Sequence, residues 1–282
     1  MKTLLSSVLV FIILLSSFPS ILAIPNSNPI RNNIRIPEHA IQIAENVFSL
    51  GSTKVDGKIV QGFLFVRYQE GFAKPSGTPG KGNDKNKDTS DFQFYELMGK
   101  GVSWKTKEDY IYDSVTIDVT SKATIETSFA TWEFLGFDIF GTGAQGTIDG
   151  LDYQAPDTKN EIFFDNIEDA GVIAMCIVWG VFGGPPPFRE LVEFDIVFDN
   201  TEYSWGDATL NPVVMDLENI ATHEIGHALG LADLYLSMYD TTDPEVLNTV
   251  MEQTMYGYAD FGEYNKRTLE SGDIAGVNAL YG

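Results

Sequence analysis

The chain has 282 residues and 40 acidic against 18 basic side chains, a formal charge of −22 that excludes nucleic acid and anionic lipid surfaces as partners. With 44% of residues hydrophobic, it is long enough for one good-sized core and an accessory segment. Its single cysteine, Cys176, excludes an intramolecular disulfide, so packing and bound metal must supply the stability.

Residues 1–23 read as a secretion signal, with Lys2 as the positive end, Leu4–Leu15 as the apolar run and Ala23 before the cut. An uncleaved anchor is the competing reading, because Ile21 does not suit a cleavage site. No later stretch approaches ~18 uninterrupted apolar residues, so no membrane contact beyond the signal is expected. Residues 24–37, with Pro25, Pro29 and Pro37, read as extended chain. Glu38–Leu50 is expected as a short helix and Ile59–Tyr68 as a strand. From Lys74 to about Ser90 the chain is rich in Gly, Lys, Asp and Asn, which is the composition of a linker. The main boundary therefore falls there, with an N-terminal segment over 24–92 and the principal domain over 93–282.

Ile125, Phe129 and Trp132 recur at near-helical spacing within residues 120–135, and Thr120 or Ser121 can cap that helix. Asp138, Asp149, Asp152, Asp157 and Asp165 follow in a glycine-containing region. They do not match an EF-hand loop, and solvated surface carboxylates compete with a cation site. Residues 171–182, GVIAMCIVWGVF, are too short to span a membrane and read as a buried strand carrying an inert Cys176. Residues 192–199, VEFDIVFD, alternate apolar and polar and read as a strand at a sheet edge.

Residues 223–233 read HEIGHALGLAD. On a helix begun by Asp216, with Leu217, Ile220, Ala221, Ala228 and Leu229 as its apolar stripe, His223 and His227 lie one turn apart on one face. Two neutral imidazoles so placed can share one zinc ion, and Glu224 can reach a water beside it. Gly230 permits a sharp exit from the helix, and Asp233 is spaced to return as a third ligand. The remaining histidine, His39, lies far upstream, so a carboxylate is favoured as that ligand. Glu245, Glu252, Glu263 and Glu270 are the alternatives to Asp233.

The pattern H-E-x-x-H-x-x-G-x-x-D, with Thr254-Met255-Tyr256-Gly257 after it and GDIAGVNALYG at residues 272–282, resembles the metzincins. The C-terminal third looks like a matrixin, and the Asp in third position resembles the snapalysin variant. The resemblance implies an α+β fold: a twisted mixed sheet, long helices including the zinc-binding one, and a small C-terminal helical subdomain. It implies a secreted, extracellular zinc-dependent endopeptidase acting on proteins or peptides, with one catalytic Zn²⁺ on His223, His227 and Asp233 and with Glu224 as general base. Met255 would form the apolar floor beneath the metal, with Met251 as the other candidate. The edge strand at 192–199 would bind substrate by strand addition. Structural Ca²⁺ is implied as well, whereas the second, structural zinc of the family lacks its histidines here. Residues 24–92 would be a pro-segment or a permanent extension. They contain no cysteine, so a thiol latch on the metal cannot operate, and His39 is the only imidazole they offer. The rival function is a non-catalytic extracellular binding protein on a degenerate protease fold. Oligomeric state is not legible.

Overall fold

The computed structural model describes residues 34–72, 101–239 and 241–282. The signal expected at 1–23, the start of the extended segment and the linker at 74–90 lie outside the described residues. Strands β1 (Ile41–Ala44), β2 (Val47–Val55) and β3 (Lys58–Gln69) come first and pair antiparallel. The helix expected at 38–50 is therefore a hairpin. Asn46, with φ 56°, turns the chain between β1 and β2. Asp56 and Gly57, with φ 48° and 84°, form the tight turn into β3, as Asp-Gly pairs do in two-residue hairpins. Pairing to β3 fixes this segment as strand.

Strand β4 (Glu108–Asp113) leads into helix α1 (Val119–Glu133). Its cap is Asp118, whose carboxylate accepts from Ser121 N, one turn before the residues expected for that role. Then come β5 (Phe140–Gly146), β6 (Glu161–Asp165), β7 (Val172–Val181) and β8 (Glu190–Asp199). The short strands β9 (Trp205–Gly206) and β10 (Met215–Asp216) pair with each other ahead of helix α2 (Leu217–Leu229). Helix α3 (Pro244–Glu252), strand β11 (Tyr258–Ala259) and helix α4 (Ser271–Tyr281) complete the chain. α3 was not foreseen; Asp243 caps it and Pro244 opens it.

The main sheet runs β1-β2-β3-β7-β8-β6-β4-β5, with β11 added beside the end of β3. β5, β4, β6 and β8 are mutually parallel, and β7 is antiparallel to both β8 and β3. The outcome is the mixed α+β sheet expected. β8 does not lie at an edge, however. It sits between β7 and β6, with both its hydrogen-bonding sides taken.

Two apolar layers sandwich the sheet. Phe63, Phe65, Cys176, Val178, Phe194 and Ile196 join α1 and α2 in one cluster. Their neighbours Leu64, Val66, Ile177 and Val197 face the other side, against Ile34, Ile148 and Ile167. The two-residue period of a strand produces this split. Phe63 and Phe65 lie in the segment before the linker, so both sides of that boundary share one core.

Candidate metal centre

Helix α2 carries the centre and is fixed at both ends. Asp216 accepts from Asn219 N at 2.9 Å and is held by Arg267 Nε at 2.8 Å. Gly230 ends the helix at φ 105°, where a Cβ would come within 2.5 Å of Val102 O. Only glycine meets both demands there.

His223 and His227 face the same way, with ring centroids 4.7 Å apart. Nδ1 of His223 lies 2.7 Å from Thr254 O, and Nδ1 of His227 lies 2.9 Å from Leu231 O. A carbonyl can only accept, so each Nδ1 carries the proton and each Nε2 presents its lone pair. After Gly230 the chain doubles back and brings Asp233 Oδ1 to 3.0 Å from His223 Nε2 and 3.4 Å from His227 Nε2. Tetrahedral zinc with bonds of about 2.0–2.1 Å sets its ligand atoms about 3.3 Å apart. The two separations from Asp233 match that spacing, all three atoms lie within 4.8 Å of one another, and the donor set of two imidazoles and a carboxylate suits zinc. His223 Nε2 has no hydrogen-bond partner despite full burial, as a metal-facing atom would. His39 is elsewhere, beside Tyr153 O at 3.2 Å. Among the described residues Glu245, Glu252, Glu263 and Glu270 join no such group.

The electrostatics are tightly coupled. Burial, then the Arg67 guanidinium, pushes His223 down to about 3, so it stays neutral. Burial also opposes charge on His227, but the Asp233 carboxylate outweighs it and raises that imidazole. For Asp233, burial works against ionisation, yet the two imidazoles hold it well below the usual carboxylate range. Glu224 is buried beside them with neither carboxylate oxygen partnered, and burial lifts it to about 7. A carboxylate poised near neutrality and free of other bonds is suited to exchanging a proton.

Outside the motif, several residues complete the centre. Tyr235 Oη donates to Asp233 Oδ2 at 3.0 Å and accepts from Asn46 Nδ2 at 3.1 Å, which orients the carboxylate. Met255 is buried directly beneath α2: a Cβ on Gly226 would lie 2.2 Å from its Sδ. Its backbone is held there by Asp273, which accepts from Met255 N at 3.1 Å and Thr254 N at 2.8 Å. Asp273 closes a capping box with Glu270 at the start of α4, a signal present in the sequence as E-x-x-D. Met251, the other floor candidate, lies on α3, and the three atoms nearest a Gly226 Cβ belong to Met255 and Trp132. Asn46, Tyr235 and the strand residues Phe65 and Arg67 were not foreseen, because nothing local to them refers to α2.

The acidic residues divide. Asp149 and Asp157 meet Glu161, and Lys159 already sits on both aspartates. Asp152 meets Glu193 and Asp195 in a deeper group. Asp138 pairs with Lys107 instead, and Asp165 joins neither group.

A model of the family described as matrixin matches residues 117–282. The chain is also similar to Metalloendoproteinase 1 of Glycine max, 38% identical over 205 residues, which cover 68% of this chain and 56% of that protein. The match over the C-terminal domain, with the zinc-type centre on its helix, places the chain among the matrixins, a family of zinc metalloendopeptidases.

Proposed function

We propose that the chain is a secreted zinc-dependent endopeptidase that cleaves proteins or peptides. The observation that carries this reading is the convergence of His223 Nε2, His227 Nε2 and Asp233 Oδ1 beside the unpartnered Glu224 carboxylate. His223, His227 and Asp233 would hold the zinc, and Met255 would floor it. The metal would supply Lewis-acid polarisation of the scissile carbonyl and a water acidic enough to attack at neutral pH. Glu224 takes the proton as that attack proceeds and returns it to the leaving amine. The Nδ1–H bonds to Thr254 O and Leu231 O keep both imidazoles oriented, and Tyr235 keeps Asp233 from rotating. The chain then divides into a leader over 1–23, an N-terminal segment over 24–92 and a catalytic unit over 93–282. Glu224→Gln tests the reading: it should keep zinc and lower hydrolysis of casein by at least ~10². Near-normal turnover by the zinc-loaded variant would remove Glu224 from the mechanism.

The reading includes a structural Ca²⁺ ion at Asp152, Glu193 and Asp195. Their carboxylate oxygens lie within 4.8 Å of one another, no ammonium among the described residues neutralises them, and Glu193 Oε1 is buried without a partner. Three converging carboxylates, two of them buried, favour a hard divalent cation with oxygen ligands.

A further inference from the structure

The metal-binding residues are shut in. His223 and Glu224 are 0% exposed, His227 1% and Asp233 3%, whereas hydrolysis requires a peptide bond within reach of the metal and of Glu224. The element that closes the site is β3. Phe65 stacks on the His227 ring at 4.2 Å between centroids and 19° between planes. Two residues on, Arg67 donates to Tyr256 O at 3.1 Å and Tyr258 O at 3.2 Å, and the charges of Glu224 and Asp233 act on its guanidinium.

The strand lies between two backbone rims. It runs antiparallel to β7 from Gln61↔Gly180 to Tyr68↔Val172, and parallel to β11 at Tyr68↔Tyr258 and Gln69↔Ala259. On the β11 side, β2 pairs with β3 as far as Phe65 and Val66 N donates to Asn46 O at 3.0 Å, after which β11 takes over at Tyr68. A slot with hydrogen-bonding rims on both sides, and side-chain sites at every second residue, fits any extended peptide. Phe65 in this slot stacks on His227, so a peptide held there lies at the metal-binding residues.

We propose that β3 is an autoinhibitory strand lying in the substrate groove, which has to leave before the enzyme works; the proposal rests on the endopeptidase reading above. The latch is a strand with an aromatic ring over a ligand histidine and a guanidinium tied to the Tyr256 and Tyr258 carbonyls. It uses no thiol, since Cys176 is the only cysteine and is buried in β7. The place now filled by Arg67, whose guanidinium donates to the carbonyls of Tyr256 and Tyr258 and feels the charges of Glu224 and Asp233, takes a basic side chain of a substrate.

The test uses the full chain with a recognition site for a sequence-specific protease inserted between Lys74 and Ser90. Before cutting, the zinc-loaded protein should hydrolyse casein slowly. A covalent tether holds β3 at an effective concentration of order millimolar, so cutting followed by dilution should raise specific activity at least ~10-fold. Adding back a synthetic peptide spanning residues 34–72 should reverse the gain. A peptide of residues 60–70 should compete with substrate, and its Arg67→Glu version should compete at least ~10-fold less well. Equal activity of cut and uncut protein at every dilution overturns the inhibitory strand and leaves the endopeptidase reading intact. Absence of hydrolysis after the fragment has been removed chromatographically, with zinc still bound, overturns the endopeptidase reading itself. Should the inserted site prevent folding, the two peptides applied to the natural chain during catalysis decide the matter: inhibition that ignores Arg67→Glu counts against the proposal.

Discussion

Replacing Gly226 by alanine puts one methyl group where the metal helix rests on its floor. A Cβ there would lie 2.2 Å from Met255 Sδ, 2.9 Å from Trp132 Cζ2 and 3.1 Å from Met255 Cε. Ordinary contacts lie at about 3.5–4.0 Å, so more than ~1 Å must open. Both neighbours are buried, so neither can swing out into solvent. The Trp132 indole N–H donates to Thr222 O at 2.7 Å, and Met255 is tied through its own N–H to Asp273. In an unobstructed helix Gly→Ala stabilises by about 1 kcal/mol. Overpacking a filled core costs about 1–3 kcal/mol, and this overlap belongs at the upper end. The net expectation is a loss of about 1–2 kcal/mol, a fall in Tm of about 2–8 °C for a chain of this size. Gly226 lies between His223 and His227, so lifting the helix here also spoils the spacing of their Nε2 atoms, and zinc affinity should drop at least ~10-fold. Calorimetry of zinc-free and zinc-loaded protein measures both effects. Adding Met255→Ala should restore part of the loss, with a coupling of about 1–3 kcal/mol. A variant with raised Tm and unchanged zinc affinity would refute the close contact between the methionine and the helix.

Asp233→Ala should abolish zinc retention on dialysis, whereas alanine at Glu245, Glu252, Glu263 or Glu270 should not; full retention in Asp233→Ala would shift the third ligand to a glutamate. Tyr235→Phe removes the hydroxyl that orients Asp233 and should weaken zinc binding about 10–100-fold with little loss of fold, as titration against a competing chelator would show. For the deep acidic group, burial is the leading cause that raises Glu193 to about 9, Asp152 above its usual range and Asp195 well above it. Without a cation the folded chain therefore keeps protons there that the unfolded chain releases above about pH 4.5. Stability should then fall as pH rises from about 5 towards 9, and saturating calcium should flatten that slope by replacing the protons. Identical pH profiles of Tm with and without calcium would count against the site.

What could be read from the sequence was local. Every element of H-E-x-x-H-x-x-G-x-x-D is a relation between residues a few positions apart on one helix and its exit, so spacing alone proposed the group that the fold brings together. The cap at Asp216 and the end at Gly230 were legible for the same reason. The cover over the site was not, because Phe65 and Arg67 reach α2 only after β3 has paired with a strand more than a hundred residues away. Asp56-Gly57 was a hairpin signal in that segment, and it stood outside the stretch expected as a helix.

β8 gives the sharper physical lesson. Its alternation was read as one face in water, which placed it at an edge. Yet Glu193, Asp195 and Asp199 are 0%, 1% and 0% exposed. Alternation reports that one face is polar; solvation is a separate matter. Asp199 satisfies its carboxylate locally, accepting from Ile167 N, Thr201 N and Glu202 N. Glu193 and Asp195 accept only three backbone N–H groups between them that are described at normal length or shorter, from Thr158, Asp152 and Glu161, and one Glu193 oxygen accepts none. A strand interior can carry acids only if backbone donors, protons or a cation compensate the lost water. The first of these suffices for Asp199. For the pair beside Asp152 it does not, and the choice between the other two is what the calcium-dependent pH profile measures.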